Sequence, residues 1–136
     1  MNLEKFEKLD KNKKNRIIEA AMDEFIKEGF NGASTNTIVK NAEISKGALF
    51  NYFENKENLY LYLIKENLNK LLANFQGKKE LPKSWEFFEG LELFINANIN
   101  FFTAHPNTFK FLANAITSAP PHIRETVLKA KRDLQG

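Results

Sequence analysis

The stretch Ser34–Leu59, STNTIVKNAEISKGALFNYFENKENL, constrains this chain more than any other. Residues able to cap a helix recur in it at short intervals: Ser34 or Thr35, then Ser45, then Asn55. The side-chain oxygen of such a residue accepts from a backbone N–H that the first helical turn leaves without a partner. Each cap is followed by apolar residues at helical spacing: Ile38 and Val39, then Leu49 and Phe53, then Leu59 and Leu63. The spacing predicts a short helix over about residues 36–42, a tight turn at Glu43-Ile44 and a second short helix over 46–52. A longer third helix is expected from Lys56 to about Phe75, with Leu59, Leu63, Leu68, Leu71 and Leu72 on its apolar side. Helices as short as the first two are not stable alone in water, so they must pack on their neighbours.

Upstream, residues 12–28 repeat apolar side chains on a helical period. Ile17, Ala21 and Phe25 form one stripe, with Ile18, Met22 and Ile26 beside it. Gly29 is the expected stop, because glycine takes a left-handed conformation without a Cβ penalty, and Phe30 returns to the core. Residues 1–15 are polar and rich in Lys (Lys5, Lys8, Lys11, Lys13, Lys14) and are expected to be a solvated terminus, or a basic arm lying on DNA if the chain binds it.

Downstream, a polar loop is expected over 76–83, then a helix from Trp85 to Ala104 capped by Ser84. Its apolar residues cover more than one stripe, the pattern of a centrally buried helix. His105-Pro106 breaks it, and Pro106 suits the first position of a further helix to about Thr117. Pro120-Pro121 breaks again before a final amphipathic helix over 122–134. No segment has strand periodicity. The expected fold is all-α: a three-helix helix-turn-helix head over residues 1–55 and a helical domain over 56–136.

Several function classes drop out. There is no cysteine, hence no disulfide framework, zinc-thiolate site or thiol nucleophile. No nucleophile–base pair, phosphate loop or metal-ligand spacing occurs, so neither an enzyme nor a metal or other cofactor is expected. His105 and His122 each sit beside proline at a helix start and are expected to cap or face solvent. No apolar run reaches the ~20 residues of a membrane helix, and the first residues contain no apolar signal core; the expectation is a cytoplasmic protein.

A helix–turn–helix pair that enters a major groove needs a small, polar exposed face on its second helix. Ser45, Lys46, Gly47, Ala48, Asn51 and Tyr52 supply one. Gly47 lets backbone approach DNA closely, and Lys46 reaches a guanine edge or a phosphate. The start of this helix, together with those marked by Thr35 and Lys56, presents free N–H groups suited to phosphate. Charge does not decide the matter: residues 1–60 carry ten basic and ten acidic side chains, although the whole chain is +3. On the residues alone, a DNA-reading head and a helical protein-interaction module both remain open.

Residues of roughly 16–60 resemble the N-terminal domain of the TetR family of bacterial transcriptional regulators. The resemblance rests on Arg16-Ile17-Ile18, Ala20-Ala21, Phe25, Glu28-Gly29-Phe30, Thr35, Ile38-Val39 and Ala42. It continues through Ile44-Ser45-Lys46-Gly47, Leu49-Phe50-Asn51-Tyr52-Phe53 and Asn55-Lys56-Glu57-Asn58-Leu59. It implies that Thr35 contacts phosphate, that Ser45, Lys46, Gly47 and Ala48 face the major groove, and that Phe50, Tyr52 and Lys56 touch the backbone. Three positions depart from the family pattern: Glu43 stands where glycine is usual, Phe50 where tyrosine is usual, and Ala48 where threonine is common.

The resemblance further implies a homodimeric repressor on a palindromic operator, released by a small apolar or aromatic effector. The pocket walls would come from Trp85, Phe88, Phe94, Phe101, Phe102, Phe109 and Phe111, with Asn96, Asn98, Asn100 and His105 as polar contacts. Family members usually continue for two more long helices that form the dimer interface, so the helical domain ending at Gly136 is expected to be incomplete.

Overall fold

The computed structural model describes residues 2–74 and 99–135, and no strand occurs among them. In chain order the helices are α1 (Leu3–Glu7), α2 (Lys11–Gly32), α3 (Thr35–Ala42), α4 (Lys46–Phe53) and α5 (Lys56–Asn74), then α6 (Ile99–Ala104), α7 (Pro106–Ser118) and α8 (Pro121–Gln135). They fall into two compact units, Met1–Leu63 and Ile64–Gly136.

The helix starts of the first unit follow from local chemistry. Asp10 caps α2 by accepting from the Lys13 N–H at 3.3 Å. Ser34 caps α3 through Thr37 at 3.3 Å, Ser45 caps α4 through Ala48 at 3.0 Å, and Asn55 accepts from the Asn58 N–H at 2.7 Å at the start of α5. Ser34 rather than Thr35 therefore holds the cap of α3. Gly29 interrupts α2 at φ 73° and ψ 173°. A Cβ there would have open space around it, so it is the backbone angle that calls for glycine. The helix then resumes to Gly32.

Burial completes the head. Ile17, Ala20, Ala21, Met22 and Phe25 of α2 pack inward, as do Ile38 and Ala42 of α3 and Leu49, Tyr52 and Phe53 of α4. Helix α2 packs on α3. From α5, Leu59, Tyr60, Tyr62 and Leu63 are buried; Tyr60 meets the rings of Phe25 and Phe30 at 4.8 and 5.0 Å. Each such side chain contributes roughly 1.5–3 kcal/mol when fully buried. The compact head thus runs on to Leu63, past residue 55.

The structure corrects the expectation for the N-terminal lead. It is neither frayed nor a free arm. Asn2 caps α1 by accepting from the Lys5 N–H, and Phe6 is 0% exposed. The reason is the aromatic wall formed by Tyr52, Phe53 and Tyr62, whose ring centroids lie 4.8–5.6 Å from that of Phe6. The lysines around Phe6 remain at the surface, and Lys14 pairs with Glu7.

In the second unit, Pro106 opens α7 and Pro121 opens α8. Thr108, Phe111, Leu112, Ala115 and Ile116 of α7 are buried, with Ile123 of α8 and Ile64, Asn67 and Leu71 of α5. The Arg124 guanidinium donates to the Ile116 carbonyl. His105 occupies the N-cap position of α7, but its side chain makes no capping bond. The loop expected over 76–83 and most of the helix expected from Trp85 lie outside the described residues.

Candidate nucleic-acid interface

The exposed face of α4 is set by its helical period. Leu49, Tyr52 and Phe53 turn inward, which leaves Ser45, Lys46, Gly47, Phe50 and Asn51 exposed and Ala48 half-buried. Gly47 has nothing within 4 Å of where a Cβ would sit. The fold therefore has no internal need for glycine at this position.

Tyr52, expected on the exposed face, is 5% exposed. The helical period places it one turn from Leu49 and beside Phe53, and its ring packs edge-on against Phe6 at 5.6 Å. Phe50 instead holds the outer position and is 65% exposed, the exposed large apolar side chain among the described residues.

Thr35 from α3, Lys46, Leu49 and Phe50 from α4, and Glu54 and Lys56 line one hollow of about 250 Å³. The starts of α3, α4 and α5 are thus brought to a single concave surface. Free N–H groups at helix starts and two lysines suit an anionic backbone.

Lys56 does more than face that surface. Its Nζ donates to the carbonyl oxygens of Asn31 and Ala33 at 3.3 and 3.2 Å and lies 4.7 Å from the centroid of the Phe30 ring. An ammonium carries three donors, and two are committed to the connection between α2 and α3. On the other side of that connection, Glu24 accepts from the Ser34 N–H at 2.8 Å. Glu24 is buried, at 8% exposure. The backbone from Asn31 to Ser34, which sets where Thr35 stands, is held by a carboxylate and an ammonium. Neither role was expected from the sequence. The available signal was a carboxylate four residues after buried Ala20, on the apolar side of α2.

Both ends of α4 are bracketed by acidic residues with positive φ. Glu43, after α3, sits at φ 58° and ψ 43°, and Glu54, after α4, at φ 72° and ψ −44°. Glu43 therefore occupies the left-handed conformation that glycine adopts more cheaply. Its turn is closed by Ile44 N–H to Val39 O at 3.1 Å and braced by Arg16, whose Nε donates to the Ala42 carbonyl at 2.7 Å.

Of the residues expected to line an effector pocket, Trp85, Phe88, Phe94, Asn96 and Asn98 lie outside the described residues, as does the side chain of Phe102. Phe101 is buried, and its ring lies 4.5 Å from the imidazole of the exposed His105. Phe109 is half-buried and Phe111 fully buried.

Residues 17–63 match the family model described as bacterial regulatory proteins, tetR family. These are the residues that build α2 through the first turns of α5 and carry the hollow. Over residues 17–63 the chain is similar to the TetR family.

Relatives of this chain include the HTH-type transcriptional regulator QacR of Staphylococcus aureus, 42% identical over 72 residues, which are 53% of this chain and 37% of QacR. The HTH-type transcriptional regulator RutR of Escherichia coli is 37% identical over 68 residues, 50% of this chain and 32% of RutR. The likeness to solved structures reaches further. A TetR family transcriptional regulator from Chloroflexus aurantiacus superposes with a TM-score of 0.67 at 25% identity, over 93% of this chain and 59% of that one. The matched part of the chain spans about a third of the length of QacR and of RutR. These relatives are transcriptional regulators rather than enzymes.

Proposed function

We propose that this chain binds operator DNA through α4 and regulates transcription, acting as a repressor that a small molecule releases. The observation that carries the proposal is the exposed, small-residue stripe of α4, with Gly47 open to close approach, set beside the starts of α3 and α5. In this arrangement α4 lies in the major groove. Lys46 and the Gly47 backbone meet base edges, and Thr35 and the remaining donor of Lys56 meet phosphates. Phe50 supplies apolar contact in place of a hydroxyl.

Two copies would read a palindromic operator with α4 helices ~34–36 Å apart, one turn of DNA. An effector bound in the helical domain would favour a spacing that no longer fits the operator. The link is α5, whose first two turns belong to the first unit and whose remainder belongs to the second.

The test is selection of duplexes from a random DNA pool at a stated salt concentration, followed by titration of the selected duplex. Retention of a palindromic sequence, lost on Lys46→Ala, supports the proposal. A second reading, a helical protein-interaction module, is favoured by the exposed Phe50. Failure to retard any duplex at low salt, with capture of a stable protein partner through Phe50, would select it.

A further inference from the structure

Helix α1 precedes the residues that the family model matches, and its contacts converge on the recognition helix. Phe6 is fully buried against Tyr52 and Phe53 of α4 and Tyr62 of α5. The Asn2 backbone N–H donates to the Asn51 carbonyl at 2.9 Å. That carbonyl belongs to the last turn of α4, where a helix leaves its C=O groups without intrahelical partners. Glu7 closes the assembly. One carboxylate oxygen accepts from the Tyr62 hydroxyl at 2.6 Å, and the other from the Lys14 Nζ at 2.5 Å. A five-residue helix too short to stand alone is thereby tied to α2, α4 and α5.

We propose that α1 is a clamp that positions the recognition helix, with Phe6, Asn2 and the Glu7–Tyr62 pair as positioning residues that do not themselves touch DNA. The proposal rests on the assignment of α4 as the DNA-reading helix. Its physical content is local. The chain beyond α4 holds its last turn through the Phe50 and Phe53 carbonyls, which accept from Glu54, Asn55 and Asn58, and α1 adds the Asn51 carbonyl to these ties. Phe6 fills the space beneath Tyr52, and Asn2 satisfies an end carbonyl from outside the helix. Small displacements of a reading helix are enough to misalign base contacts, so a clamp on its far side acts on affinity without adding a contact.

The clamp makes a different prediction from an arm that lies on DNA. Loss of a phosphate contact lowers the salt dependence of binding by about one per contact. Loss of a positioning contact weakens binding at every salt concentration and leaves the slope unchanged.

The experiment uses the full chain and a duplex selected by the wild-type protein from a random pool. Tyr62→Phe keeps the ring and removes the hydroxyl that bonds Glu7; about fivefold weaker binding is expected, the equivalent of one hydrogen bond. Phe6→Ala is expected to weaken binding at least tenfold when assayed well below its melting temperature, with partial recovery in Phe6→Leu, which restores most of the buried apolar volume. Neither is to change the salt slope. Hydrogen exchange provides a readout that needs no DNA: the amides of residues 49–53 are expected to exchange faster in Tyr62→Phe, with those of α3 unchanged.

A wild-type protein that selects no duplex would remove the DNA-reading assignment, and the exchange result alone would then decide whether α1 holds α4. Wild-type affinity in Tyr62→Phe and Phe6→Leu, with unaltered exchange in α4, overturns the clamp and leaves the DNA reading standing. A salt slope lowered by Lys5→Gln or Lys8→Gln also overturns it, because α1 would then be touching DNA itself.

Discussion

Arg16 donates from Nε to the carbonyl oxygen of Ala42 at 2.7 Å, joining the second turn of α2 to the last residue of α3. This carbonyl is one of those a helix end leaves without a backbone partner, and the charged donor comes from 26 residues earlier in the chain. The bond holds the turn that aims α4. Arg16→Ala is expected to cost about 1.5–3 kcal/mol, the range for a hydrogen bond to a charged group, and Arg16→Lys less. Equilibrium denaturation in urea measures both.

The same turn contains an avoidable cost. Glu43 holds φ 58° without being glycine, and its carboxylate is an exposed partner 3.8 Å from Arg16. Exposed pairs of this kind are worth little. Glu43→Gly is expected to stabilise the protein by about 1 kcal/mol, seen as a rise of ~4–8 °C in the melting temperature of a domain this small. An unchanged or lower melting temperature would refute this account of the turn.

Gly47 separates folding from recognition. No atom lies within 4 Å of its would-be Cβ, and alanine is the better helix former by roughly 0.5–1 kcal/mol. Gly47→Ala is expected to melt at the same temperature or higher while losing affinity for the selected duplex. Equal affinity would show that α4 does not approach DNA along this face.

The two lysines of the hollow are expected to behave differently. Lys46 is exposed; Lys46→Ala should leave stability unchanged and lower the salt slope of binding by about 0.9. Lys56 bonds two carbonyls and covers Phe30; Lys56→Met should cost about 1–2 kcal/mol of stability as well as affinity. Denaturation and titration on both variants provide the comparison.

Glu24 gives a sharper contrast within one site. Glu24→Gln retains an acceptor for the Ser34 N–H and is expected to be nearly neutral. Glu24→Leu leaves that donor unpaired at a half-buried position, for about 1–3 kcal/mol, measured by the same denaturation.

Much of the head was legible before the structure. Ser45 and Asn55 cap the helices they were expected to cap, Ser34 is the one of the two candidates that caps α3, and Pro106 opens its helix; Pro121, expected as a breaker, is itself the first residue of α8. The burial of Tyr52 was legible in principle, since Leu49, Tyr52 and Phe53 share one side of a 3.6-residue period. It was missed because a tyrosine beside an asparagine looks polar when charge is read without phase. Phe6 was missed because one aromatic in a lysine-rich lead has no period of its own.

The sequence by itself determined most helices of the head from α2 onward, with their starts, and the resemblance over residues 17–63. These depend on interactions within about four residues and on a local motif, and both are written contiguously in the chain. Only the tertiary structure decided what holds α4. Glu7 meets Tyr62 across 55 positions, Arg16 meets Ala42 across 26, and Lys56 meets Asn31 across 25. Such pairs form only when packing brings distant segments together. That is why Lys56, expected at the DNA backbone, turned out also to brace the fold, and why a lead expected to be free proved to be docked beneath Tyr52.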